Sequence, residues 1–95
     1  MASAMVKWQL KRVGARLRTL RAELAVMDEQ RPYLADDADD LDLRAVVSDS
    51  DRDRYQARSA GGHVSAMEAA RTKAVDEIRR LEARQDQLLD RLTGG

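Results

Sequence analysis

Residues 6–24, VKWQLKRVGARLRTLRAEL, carry the pattern that decides the fold. Their apolar side chains recur after four and three residues in alternation, which is the spacing of a coiled-coil seam. The alternation continues to Leu41 and returns between Ala57 and Leu92. When the chain is folded back at Asp49, apolar positions of the two halves face each other and their numbers sum to 98. The pairs are Val6 with Leu92, Leu10 with Leu88, Leu17 with Leu81, Leu20 with Ile78, Leu24 with Ala74, Leu34 with Val64 and Leu41 with Ala57.

This pairing predicts an all-α fold, a long antiparallel two-helix coiled-coil hairpin. A chain of 95 residues leaves no room for a second independent domain, so we expect residues 1–95 to form one unit. Ser50 or Asp49 is suited to cap the second helix. The predicted elements are a helix over about 5–46, a turn over about 48–51 near Asp49, and a helix over about 52–92.

Three residues are expected to interrupt the helices. Pro32 has no backbone N–H and clashes with the preceding turn, so it should kink or end the first helix near Gln30. Gly61 and Gly62 should similarly kink or weaken the second helix, because each glycine costs about 1 kcal/mol relative to alanine. These positions bracket a distal lobe, residues 33–65, that is expected to flex as a unit. Its seam buries little apolar area, because Ala38 faces Ala60 and Leu41 faces Ala57. Leu34 with Val64 is the only bulky pair.

Composition narrows the class of protein. Charged residues make up 36% and aromatic residues 3%, which is typical of a polar helix assembly and disfavours an enzyme with a deep pocket. Cysteine is absent, so disulfides and thiolate metal sites are excluded. Residues 1–12 lack the apolar run of a signal peptide or membrane span, so we expect a cytoplasmic protein. Fourteen arginines against three lysines suggest a GC-rich, bacterial coding sequence.

Charge is divided along the chain although the formal total is zero. Residues 1–27 have six basic side chains and one acid, whereas residues 28–54 have ten acids and four arginines. The possible contacts at the acidic tip are Asp49, Asp51 and Asp53. The acidic run lacks the glycine and the closing glutamate of an EF-hand, so dedicated calcium binding is not predicted. A weak divalent site and an electrostatic match to a basic or metal-bearing partner are the remaining alternatives. A solvated, solubilising surface is the alternative interpretation of these acids.

The motifs Arg31-Pro32 and Tyr55-Gln56-Ala57, together with Asp51, resemble the N-terminal coiled-coil domain of the Gre transcript-cleavage factors of bacterial RNA polymerase. In that family the finger enters the polymerase secondary channel, and its tip acids help to hold a catalytic magnesium ion. The resemblance implies that Asp51 takes the place of one tip acid and that RNA polymerase is a partner. Ser48 stands where the other acid is expected, and Arg54 replaces the acid before the tyrosine. The anchoring C-terminal domain of that family has no counterpart in the sequence.

A second stripe of small and aromatic residues lies opposite the seam, on the helix face that would otherwise be purely polar. Alanine is also a common neutral helix filler, which is the alternative explanation. The stripe favours a docking surface for a second copy or for another protein, and we expect a homodimer. Its members are Trp8, Ala15, Thr19, Ala22, Val26 and Tyr33.

Other activities are disfavoured. His63 is the only histidine, and the hairpin places no obvious nucleophile or second histidine beside it, so no catalytic residue is predicted. No phosphate loop or paired-ligand motif indicates a cofactor or metal. The basic residues of the first helix spread around it without interleaved aromatics, which disfavours nucleic acid. Membrane-surface binding is disfavoured because the seam already uses the apolar face. The sequence thus predicts a non-enzymatic interaction module that self-associates through the first helix, with a polymerase-binding transcription modulator as the alternative.

Overall fold

The computed structural model describes residues 2–94, which form two helices, α1 (Ala2–Ser48) and α2 (Asp51–Leu92). No β-strand occurs among these residues. The prediction of an all-α helical hairpin is therefore confirmed. Both helices are longer than predicted, because α1 begins three residues earlier and ends two residues later, and α2 begins one residue earlier.

The turn between the helices is short and well capped. Asp49 has a φ of 51°, in the left-handed region that aspartate tolerates better than most residues. Its backbone N–H donates to the carbonyl of Ala45 at 3.2 Å. Ser50 caps α2, since its hydroxyl accepts the backbone N–H of Asp53 at 3.0 Å. Asp51 and Asp53 lie in the first turn of α2, where negative charge suits the helix dipole.

Contacts divide the hairpin into two compact units. The proximal unit comprises Met1–Leu24 and Lys73–Gly95, and the distal unit comprises Ala25–Thr72. Each unit contains a segment of both helices. The lobe predicted over residues 33–65 lies within the distal unit, which extends further along both helices.

The core of each unit lies on the predicted seam. Leu17 and Leu88 are completely buried in the proximal unit, at 1% and 0% exposure. In the distal unit the buried seam residues are Ala38 and Ala57. Alanine buries far less apolar area than leucine, so the distal core contributes less to stability, as its thin seam predicted. The buried hydrophobic residues of the proximal unit are Val6, Leu17, Leu20, Ala74 and Leu88.

Ion pairs between the helices agree with the predicted register. In the distal unit Asp28 pairs with Arg71 and Arg31 pairs with Glu68, and both pairs of numbers sum to 99. In the proximal unit the pairs are diagonal and their numbers sum to 93 and 103, on either side of the predicted 98. These pairs are Arg16 with Glu77 and Arg21 with Glu82.

Neither Pro32 nor the Gly61-Gly62 pair ends a helix. Helix α1 continues through Pro32 to Ser48, so of the two outcomes expected near Gln30 a helix end is excluded. Helix α2 likewise runs through Gly61 and Gly62. The physical reason is that seam burial resumes on both sides of each site and outweighs a local backbone cost of about 1 to 3 kcal/mol. A kink at these positions remains a prediction.

Candidate interaction surfaces

Two hollows among the described residues are open to solvent, and each lies within a single unit. One of about 510 Å³ is lined by proximal residues that include Met5 and Arg91. Another of about 410 Å³ lies beside Tyr55 and His63 in the distal unit. Among residues 2–94 no group of three histidine, cysteine or acidic residues is placed to hold a metal ion. Over the same range, neither helix is apolar enough along its length to cross a membrane.

The proximal unit presents an exposed apolar surface on α1, which we name the proximal face. Trp8 leaves 52% of its surface exposed, and Met5 is similarly exposed one turn earlier. The guanidinium of Arg12 stacks over the Trp8 ring at 5.0 Å from its centroid. The predicted interface residues of this unit are thus all at the surface. The proximal face consists of Met5, Trp8, Arg12, Ala15, Thr19 and Ala22.

The distal unit has a matching surface on its own part of α1, which we name the distal face. Val26 and Tyr33, the two predicted interface residues of this unit, leave 50% and 72% of their surface exposed. The face continues in the last turns of α1, where Leu43 and Val47 are also exposed. It consists of Val26, Glu29, Tyr33, Asp36, Asp40, Leu43 and Val47.

The exposed apolar residues at the end of α1 were not predicted from the sequence. Val46 and Val47 leave 80% and 78% of their surface exposed, and Leu43 is exposed beside them. A signal was present, because Leu43 and Val47 continue the four-three spacing that runs through Trp8 and Tyr33. Asp36 and Asp40 occupy that spacing between Tyr33 and Leu43, so the apolar pattern is interrupted there.

The tip acids differ in their surroundings. The side chains of Asp49 and Asp51 are almost completely exposed, and both form ion pairs with Arg54, that of Asp49 at 2.6 Å. Asp53 is partly buried and accepts a hydrogen bond from the hydroxyl of Ser48. The arginine that departs from the Gre pattern therefore offsets part of the negative charge of the two outermost acids.

Arginines at the edge of the seam reach carboxylates on the opposite helix. Arg71 lies partly buried on the seam and donates to Asp28 at 2.7 Å. This hydrogen bond lowers the pKa of Asp28 and raises that of Arg71. In the proximal unit, the hydrogen bond from Arg16 to Glu77 likewise lowers the pKa of Glu77. The carboxylate partners of these arginines were not identified from the sequence.

No family model, curated protein or solved structure matches the chain.

Proposed function

We propose that the protein is a non-enzymatic interaction module that self-associates through the exposed face of α1. The observation that carries this proposal is the exposure of Trp8, Val26 and Tyr33 on a helix whose other side already packs in the seam. Large apolar side chains repeated at helical spacing on an exposed face are typical of a docking surface.

The estimated free energies of burial and association require several side chains of the face to be buried, rather than one. Covering about 100 Å² of one aromatic side chain contributes about 2.5 kcal/mol, at about 25 cal/mol per Å². Association of two molecules loses translational and rotational freedom that costs at least about 4 kcal/mol. Trp8 alone is therefore insufficient. Several of the exposed positions must be buried together for a stable complex to form.

Replacing Ala22 with glutamate tests the proposal. Ala22→Glu places a charge on the proximal face without touching the seam, and burying it without a partner costs at least about 3 kcal/mol. We expect the dissociation constant of the self-complex to rise about 100-fold, measured by sedimentation equilibrium. Ala83→Glu is the matched control, because Ala83 is an exposed alanine on α2 of the same unit.

The control should sediment like the wild type. Equal weakening by Ala22→Glu and Ala83→Glu would show that added charge alone reduces association. A wild type that stays monomeric at high micromolar concentration would remove the proposal.

A second candidate is a polymerase-binding modulator that acts through its tip. The exposure of Asp49 and Asp51 at the turn favours it, because both carboxylates are accessible to a partner. If the tip acts in this way, Asp49→Asn with Asp51→Asn should abolish any effect of the protein on transcript cleavage or pausing by RNA polymerase. Helicity should be unchanged, since both side chains lie outside the seam. A wild type without effect on polymerase would eliminate this candidate.

A further inference from the structure

The two units carry opposite net charges of equal size. The proximal unit has eleven basic and six acidic side chains, a balance of +5, and the distal unit has eleven acids and six arginines, a balance of −5. Isolated charge blocks are often only a solvated surface. Here each block accompanies an exposed apolar face, so the location of the individual charges becomes informative.

Four charges on and beside these faces have no ion-pair partner among the residues that the structure describes. Lys11 and Arg12 lie on or next to the proximal face, and Asp36 and Asp40 lie on the distal face, all with exposed side chains. Across the part of the chain that the structure describes, none of these four side chains forms an ion pair. The ion pairs between the helices use other residues, and Arg12 contacts only the Trp8 ring of the same face, so its positive charge is not neutralised by a carboxylate.

The spacing places these charges among the apolar groups of the same surface. Arg12 follows Trp8 by four residues on the proximal face, while Asp40 precedes Leu43 by three on the distal face. A surface that is apolar and basic is therefore complementary to one that is apolar and acidic. Both surfaces occur on the same helix of the same chain.

We propose that the distal face of one copy docks on the proximal face of a second copy, with Asp36 and Asp40 against Lys11 and Arg12. This inference rests on the proposed self-association and adds its polarity. Pairing proximal with proximal faces would bring Arg12 against a second basic face, and pairing distal with distal faces would oppose the aspartates. Like charges brought together at an interface oppose association, whereas opposite charges select the partner and its orientation.

Charge reversal in two variants tests the polarity. The first variant carries Lys11→Glu and Arg12→Glu, and the second carries Asp36→Lys and Asp40→Lys. Glutamate and lysine are good helix formers, and circular dichroism checks that both variants remain helical. Each variant then has two faces of the same sign. We expect each alone to associate at least about tenfold more weakly than the wild type in sedimentation.

Mixing the two variants tests whether charge repulsion, rather than damage to the fold, accounts for the weakening. The reversed proximal face of the first is acidic and meets the basic distal face of the second, while their unaltered faces are also complementary. An equimolar mixture should therefore restore a mixed complex, seen by sedimentation with one variant fluorescently labelled. Weak association of both variants without restoration on mixing would overturn the inference. So would variants that each self-associate like the wild type, in which case the proposed self-association still stands.

Unmodified protein gives an independent check if a variant fails to fold. Opposite charges across the interface should make the dissociation constant rise as salt is added, because screening weakens their attraction. Wild-type association that strengthens with salt would overturn the proposed polarity but not self-association. A monomeric wild type at every salt concentration would overturn both.

Discussion

Leu88→Ala is expected to lower the free energy of unfolding by about 3 to 5 kcal/mol. Leu88 is completely buried in the proximal unit, where Leu17 and Leu20 are buried to a comparable extent. Truncation removes its apolar burial and leaves a cavity that two rigid helices fill poorly. Small domains have only about 5 to 15 kcal/mol of stability, so the variant should be partly unfolded near physiological temperature. Urea denaturation followed by circular dichroism measures the loss.

The control for Leu88→Ala is the same substitution at the next residue, Leu89. Leu89 leaves 44% of its surface exposed, so Leu89→Ala deletes the same atoms from a site that solvent already reaches. Its effect should stay within about 1 kcal/mol. A loss for Leu89→Ala as large as that for Leu88→Ala, or larger, would contradict the seam register, because it would show that Leu89 is buried.

Pro32→Ala should have the largest effect in the stabilising direction. Because α1 continues through Pro32, the ring removes a helical hydrogen bond and clashes with the preceding turn, a cost of about 3 kcal/mol relative to alanine. Proline also restricts the unfolded chain, which offsets up to about 1 kcal/mol of that cost. We therefore expect the free energy of unfolding to rise by about 2 kcal/mol, measured by urea denaturation.

Gly61→Ala calibrates this result, because a Cβ placed there meets no atom within 4 Å. It should raise stability by about 1 kcal/mol through helix propensity alone. A Pro32→Ala variant that is no more stable than the wild type, beside a stabilised Gly61→Ala variant, would show that α1 is not regular at residue 32.

The fold could be predicted because apolar residues recur at the spacing of a coiled-coil seam in both halves of the chain. Val6, Leu20 and Leu88 mark a period that two helices can satisfy only in one register, and each is buried where that register places it. Ser50 could also be predicted as a helix cap, because its hydroxyl accepts a hydrogen bond from a backbone N–H only three residues away. Ion-pair partners such as Glu68 were not predictable, because they depend on the rotamers of long exposed side chains.

The surface was only partly predictable. Exposure of Trp8 and Tyr33 followed from the phase of the seam, since residues opposite a seam face solvent. The apolar end of α1 was hidden by the aspartates that share its spacing. A local argument also left two outcomes at Pro32, a kink or a helix end, and only the structure excludes the helix end.

Trp8 offers the most direct test of self-association through α1, because it is the only tryptophan and lies half-exposed on the proximal face. Its emission and its quenching by acrylamide should be followed together with the sedimenting mass as protein concentration is raised. If the protein self-associates through α1, the emission of Trp8 should shift to the blue and its quenching by acrylamide should decrease over the concentration range in which the sedimenting mass increases. An increase in mass that leaves the emission and quenching of Trp8 unchanged would contradict self-association through α1.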